Sequence, residues 1–264
     1  MSQQANQAIT ALRTGHSELA ALVGGLSPDD LTRTSGAAKW DISQVLSHLG
    51  SGAEITLVTL EAALENVGSP GIEFNQTVWA RWNAMAPTER AASFLRANEA
   101  VVQRFETLDD STKDQLRIDL GFLPQPVDVA TAATLRLSEF ALHTWDVKIA
   151  FDPAAVLATE AVPLLLDQLS MLIGFLGHAD VLDGRATTLA VHTIAPDRSF
   201  GLDLHDTVCL VDTPQEPGGV LSTPAEAWLR LTAGRLAPQH TPPSVQLTGD
   251  TLTLDDLRRV FPGF

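Results

Sequence analysis

The chain of 264 residues is long enough for one large or two modest domains, and its 45% hydrophobic and 19% charged content excludes disordered, collagenous and disulfide-scaffold classes. A formal charge of −15 argues against nucleic acid or anionic membrane as a partner, and a single cysteine, Cys209, excludes an intrachain disulfide and a cysteine-based zinc site. Met1-Ser2-Gln3-Gln4 has neither the basic nor the apolar part of a signal peptide, and Pro163, Asp167 and Gln168 break the longest apolar stretch, so a cytoplasmic protein is expected.

The first 150 residues read as helices. Ile9, Leu12, Leu19, Leu22 and Val23 outline a helical face over residues 4–24, which Gly24-Gly25 closes. Asp41 is a strong N-cap for a second helix, with Gln44 placed for a capping box and Trp40 placed to staple onto Val45. Its apolar stripe runs from Ile42 through Val45, Leu46, Leu49, Ala53, Leu57 and Leu60 to Leu64. Gly68-Ser69-Pro70-Gly71 breaks the chain, and Trp79 and Trp82 follow as packing or pocket-lining aromatics. A third helix begins at Pro87 and runs to about Leu108. Residues 109–127 read as a long connection, and a fourth helix spans about Asp128 to Phe151. Four such helices suggest a four-helix bundle.

Asp152-Pro153 marks a boundary, so the expected domains are 1–152 and 153–264. An apolar helix over about 155–177 opens the second. Alternation then predicts strands over Thr187–Thr193 and Ser199–Val211, and a short one at Val245–Leu247. Thr223 with Pro224 and Glu226 signals a short helix closed by Gly234, and Thr253 starts a last helix. The fold class expected is therefore α plus α+β, a helical bundle followed by a smaller α+β domain.

Chemistry concentrates on the fourth helix. Glu139 and His143 are four residues apart and share a face with Leu135, Leu142 and Ala150, which aims a carboxylate and an imidazole at an apolar core. Groups buried this way need a partner. One solution is a divalent metal, with His48 of the second helix as third ligand and one coordination position left open, as in catalytic zinc sites. The other is a hydrogen-bonded core pair. Asp146 is placed to orient His143 or to sit solvated at the helix end. Asp203 and His205 share a strand face without a third ligand, His192 reads as structural, His16, His178 and His240 as exposed or helix-end residues, and Cys209 as a buried thiol.

Two runs carry a family resemblance. Trp40–Leu49, WDISQVLSHL, resembles the start of the second helix in mycothiol-dependent maleylpyruvate isomerases of the DinB-like metalloenzyme superfamily. Ser138–Asp146, SEFALHTWD, is similar to their glutamate–histidine segment, and Phe74-Asn75 and the stretch from Gly218 to Arg235, ending LRLTAGR, are similar as well. The resemblance implies a DinB-like bundle with a sterol-carrier-like C-terminal domain. It implies a catalytic divalent metal, zinc first, on His48, Glu139 and His143, with mycothiol as thiol cosubstrate and a small-molecule electrophile as substrate. It also implies that Arg235 clamps a substrate carboxylate, where the plainer reading is an arginine satisfying carbonyls at a helix end. Thiol addition, bond rotation and elimination would make the protein a cis–trans isomerase; addition alone would make it an S-transferase using a low-molecular-weight thiol. A third reading is a non-enzymatic, metal-containing ligand-binding protein.

Overall fold

The computed structural model describes residues 2–37 and 39–263. The chain divides between Ala155 and Val156 into two compact units.

The first unit is built on four long helices, α1 (Ser2–Gly24), α3 (Ile42–Leu64), α5 (Pro87–Glu106) and α7 (Val129–Lys148), with short α2 (Pro28–Leu31), α4 (Ile72–Asn83) and α6 (Asp110–Gln115) between them. The four pack in a ring, α1 against α5 and α7, and α3 against the same two. Their apolar stripes fill the middle with Leu12 and Leu19, Val45, Leu46 and Leu49, Phe94 and Val101, and Leu137 and Phe140. The Phe94 and Phe140 rings stack with centroids 6.5 Å apart.

Local chemistry sets where α3 and α7 begin. Asp41 caps α3 by accepting from Gln44 N at 2.8 Å, and Gln44 Oε1 accepts from Asp41 N at 2.9 Å, which is the expected capping box. Asp128 caps α7 by accepting from Thr131 N at 2.8 Å. Two glycines on α3 admit close neighbours. A Cβ on Gly50 would overlap the Trp82 ring, and one on Gly52 would lie 2.9 Å from Arg136 Nη1. A helical glycine costs about 1 kcal/mol relative to alanine, and here it permits an indole and a guanidinium to reach the α3 backbone.

Several segments differ from expectation. Residues 72–83, over which the sequence predicts no helix, form α4, of which Val78 and Trp82 are buried. The connection 109–127 contains α6 and the first strand of a two-residue antiparallel pair, β1 (Arg117–Ile118) and β2 (Val127–Asp128). His16 is buried at 4% exposure rather than placed at the surface. Its neighbours come from α5, remote in sequence, so no local pattern announces it.

The second unit opens with α8 (Val162–Leu176) and is organised on a five-stranded sheet ordered β5-β4-β3-β6-β7. Its strands are β3 (Thr188–Ile194), β4 (Arg198–Asp203), β5 (Cys209–Val211), β6 (Val220–Pro224) and β7 (Gln246–Thr248). The unit also contains the short α-helices α9 (Ala225–Thr232) and α10 (Leu254–Val260) and 3-10 turns at Ala179–Leu182 and Pro238–His240. All pairings are antiparallel except β3 with β6, which is parallel and sets Val191 opposite Leu221. Trp228 of α9 is fully buried, its ring 5.7 Å from Phe200 and 6.1 Å from Phe261.

The span Ser199–Val211 is two strands separated by residues 204–208, not one. Asp203 ends β4 and His205 lies beyond it, hydrogen-bonded to it through Nδ1. Cys209 is half-buried rather than buried. Thr223 and Pro224 belong to β6, and α9 starts one residue later than the cap signal indicated, with Pro224 as its N-cap. Gly234 closes α9 with a φ of 71°, as expected of a helix-terminal glycine.

Candidate metal centre

α3 and α7 bring together the three residues singled out from the sequence. His48 Nε2 lies 3.0 Å from Glu139 Oε2, and His143 Nε2 lies 3.7 Å from the same oxygen. One ligand atom from each of the three falls within 4.8 Å of the others. The two imidazole rings meet edge to face with centroids 4.6 Å apart.

The three differ in burial. His143 is 4% exposed, whereas His48 and Glu139 are 38% and 39% exposed. The expectation of a carboxylate and an imidazole both facing an apolar core therefore holds for His143 alone. Glu139 and His48 stand at a rim, which keeps the cluster open on one side.

Asp146 lies one turn beyond His143 and is fully buried. Its Oδ2 accepts from His143 Nδ1 at 2.8 Å. A carboxylate can only accept, so Nδ1 carries a proton and Nε2 is the ring atom turned towards Glu139. Of the two sequence readings of Asp146, the orienting one matches this geometry; the solvated helix-end carboxylate does not. Burial opposes the charged form of Glu139. The hydrogen bond with His48, the proximity of both imidazoles and the Arg136 guanidinium outweigh it and hold the carboxyl down at about 2. At neutral pH the cluster is thus an ionised carboxylate between two imidazoles, one of them anchored through Nδ1 with its Nε2 facing the cluster. The donor set suits a divalent ion with nitrogen and oxygen preferences.

Two further residues border the cluster. The Trp40 ring lies 5.2 Å from His48 and 5.9 Å from His143, centroid to centroid. The sequence suggested Trp40 as a staple onto Val45; its ring contacts are with the two imidazoles. Arg136 sits one turn before Glu139 on α7 and is 7% exposed. Sequence reasoning passed over it, although positions 136, 139, 143 and 146 recur at helical spacing and fall on one stripe.

Arg235 belongs to the second unit. It is 7% exposed, just past α9, and its Nη1 donates to Ala233 O at 2.9 Å. Arg230 is held by Glu226 at 2.7 Å and by His240 O at 2.9 Å.

With this geometry in view, comparison with known proteins is informative. The family model described as the mycothiol maleylpyruvate isomerase N-terminal domain matches residues 12–148. The chain belongs to this family. The matched span includes His48, Glu139, His143 and Asp146. No curated protein matches the chain. Among solved structures, the chain is similar to the crystal structure of the mycothiol-dependent maleylpyruvate isomerase, with a TM-score of 0.63 at 14% identity, covering 92% of each chain. It is also similar to a histidine-to-alanine mutant of that enzyme, with a TM-score of 0.61, 14% identity and the same coverage. At this identity the likeness is one of fold.

Proposed function

We propose that the protein is a mycothiol-dependent metalloenzyme of the maleylpyruvate isomerase type, acting on a small electrophilic molecule. The observation that carries the reading is the convergence of His48, Glu139 and His143, with Asp146 fixing the His143 tautomer, inside the segment that matches the family. The four-helix-bundle, DinB-like reading of the first unit belongs to the same proposal. It is supported by the closed ring of pairings among α1, α3, α5 and α7.

In this reading His48 and His143 supply imidazole nitrogens and Glu139 a carboxylate oxygen to a divalent ion, zinc being the first candidate. When bound, the ion lowers the pKa of a thiol from its free value of about 8.5, so that a thiolate is available at neutral pH. The protein's own groups do the rest. Asp146 holds His143 in place and raises its basicity. Trp40 packs beside both imidazoles and shields them from water on that side. The half-exposed rim at His48 and Glu139 leaves room for the thiol and its acceptor. The carboxylate-clamp role that the resemblance implies for Arg235 is part of the proposal. So is a cytoplasmic setting without nucleic-acid or membrane partners, which the charge of −15 supports. Among the described residues no helix is long and apolar enough to cross a membrane.

The test is calorimetric titration of mycothiol into the zinc-loaded protein, with metal-stripped protein as control. Binding that requires the metal is the expected result, and binding in neither form removes the mycothiol reading. Product analysis then separates the chemistry. A recovered isomer of unchanged mass means isomerase, and a stable thioether means S-transferase.

A further inference from the structure

Arg136 has no part in the reading above, yet its position is unusual. Its Nη2 donates to Leu49 O and to Asn98 Oδ1, both at 2.7 Å, while its Nε is buried without a partner. Among the described residues no carboxylate comes within ion-pair distance of the guanidinium. Burial pulls its pKa down to about 10, which leaves it charged at neutral pH. A buried cation without a counterion in contact is costly, and nothing in the apolar packing of α3, α5 and α7 needs one. The bare backbone at Gly52, one turn beyond His48, is what admits it. The charge is therefore packed against the turns that carry His48 and Glu139.

We propose that Arg136 is a fixed positive charge that makes this metal centre select an anionic ligand at its open position. The inference rests on the metal reading of the site and concerns how that site chooses its ligand. Arg136 makes the surroundings of the ion one unit more positive than the ion and its carboxylates alone, which favours a thiolate or carboxylate over a neutral ligand at the open position. The same charge repels the ion itself. Arg136 thus weakens metal binding and strengthens anion binding, and this opposition separates an electrostatic role from a structural one.

The experiment uses the full chain loaded with cobalt(II). Thiocyanate affinity is read from the visible absorption of the metal, and cobalt affinity from competition with a chelator. Two variants cancel the charge by different routes. Arg136→Gln removes it while keeping a donor for Leu49 O or Asn98. Asn98→Asp keeps the arginine and places a carboxylate where Asn98 Oδ1 now accepts from Nη2. Each is expected to weaken thiocyanate binding about tenfold, as loss of a nearby partly screened charge should, and to tighten cobalt binding. Arg136→Lys, which keeps the charge, should leave both within about twofold. Should Arg136→Gln fail to fold, Asn98→Asp decides. Unchanged thiocyanate affinity in a charge-cancelling variant that binds cobalt, or a fall in both affinities together, overturns the inference and leaves the metal reading intact. Failure of the wild-type protein to take up cobalt overturns both.

Discussion

The first unit contains two histidine–carboxylate clusters, and they are built differently. In one, His16 Nε2 lies 3.0 Å from Glu99 Oε2, and Arg13 grips that carboxylate through Nη1 at 2.6 Å while holding Glu106 at 2.8 Å. In the other, Glu139 lies between His48 and His143, and among the described residues its ion-pair contacts are with histidines alone. The first cluster is closed. Arginine occupies the carboxylates, and burial lowers the His16 pKa and keeps that ring neutral. The second has an imidazole set by Asp146 and a carboxylate that Arg136 influences without touching it. A His–Glu pair is open to a metal when no arginine holds the carboxylate. Composition alone does not distinguish the two clusters.

Three experiments probe this contrast, in order of expected effect. His143→Ala should reduce bound metal after dialysis to background, because it removes one of the three proposed ligands; full occupancy in that variant would sink the assignment. Asp146→Asn should keep the fold and the three proposed ligands but lower metal affinity by about 10- to 100-fold, the usual effect of losing a carboxylate behind a ligating histidine. Metal competition with a chromophoric chelator reads this directly. Arg13→Leu should leave metal affinity unchanged and lower the unfolding free energy by about 1 kcal/mol, since the pair is partly exposed and screened.

The Arg13 effect has a pH signature. The hydrogen bond from Arg13 is the main cause that holds the Glu99 carboxyl below its ordinary range. Its stabilising contribution is therefore present above the unfolded carboxyl value of about 4.3 and is lost as pH falls below it. Denaturant unfolding at pH 7 and pH 3 should show the gap between wild type and Arg13→Leu narrowing at the lower pH.

The centre was legible in the sequence where local rules suffice. The Asp41–Gln44 capping box sets the start of α3 and hence the phase that turns His48 towards α7, and the four-residue step from Glu139 to His143 survives in any helix. What escaped depends on partners distant in the chain. α4 has a glycine N-cap without a side-chain bond and buries only Val78 and Trp82, too few for a periodic signal. β6 ends in Ser222-Thr223-Pro224, which reads as a helix start, and its parallel pairing with β3 is a tertiary fact. The exposure of Glu139 and His48, the burial of His16 against α5 and the packing of Arg136 on Gly52 likewise follow from how helices meet.

The stripe Arg136, Glu139, His143, Asp146 has a consequence for how this segment can change in length. Each added or deleted residue turns everything beyond it by about 100° around the helix axis. A one-residue insertion after Arg136 would turn the other three by that angle relative to Arg136 and its contact on α3, and one after His143 would part the imidazole from Asp146. Single replacements along the stripe act one at a time, whereas a change of length acts on several of its members together. The segment between β1 and β2, residues 119–126, lies outside any helix and has no such constraint. Among descendants of this chain, insertions and deletions should therefore gather there and be absent from the turns between Arg136 and Asp146.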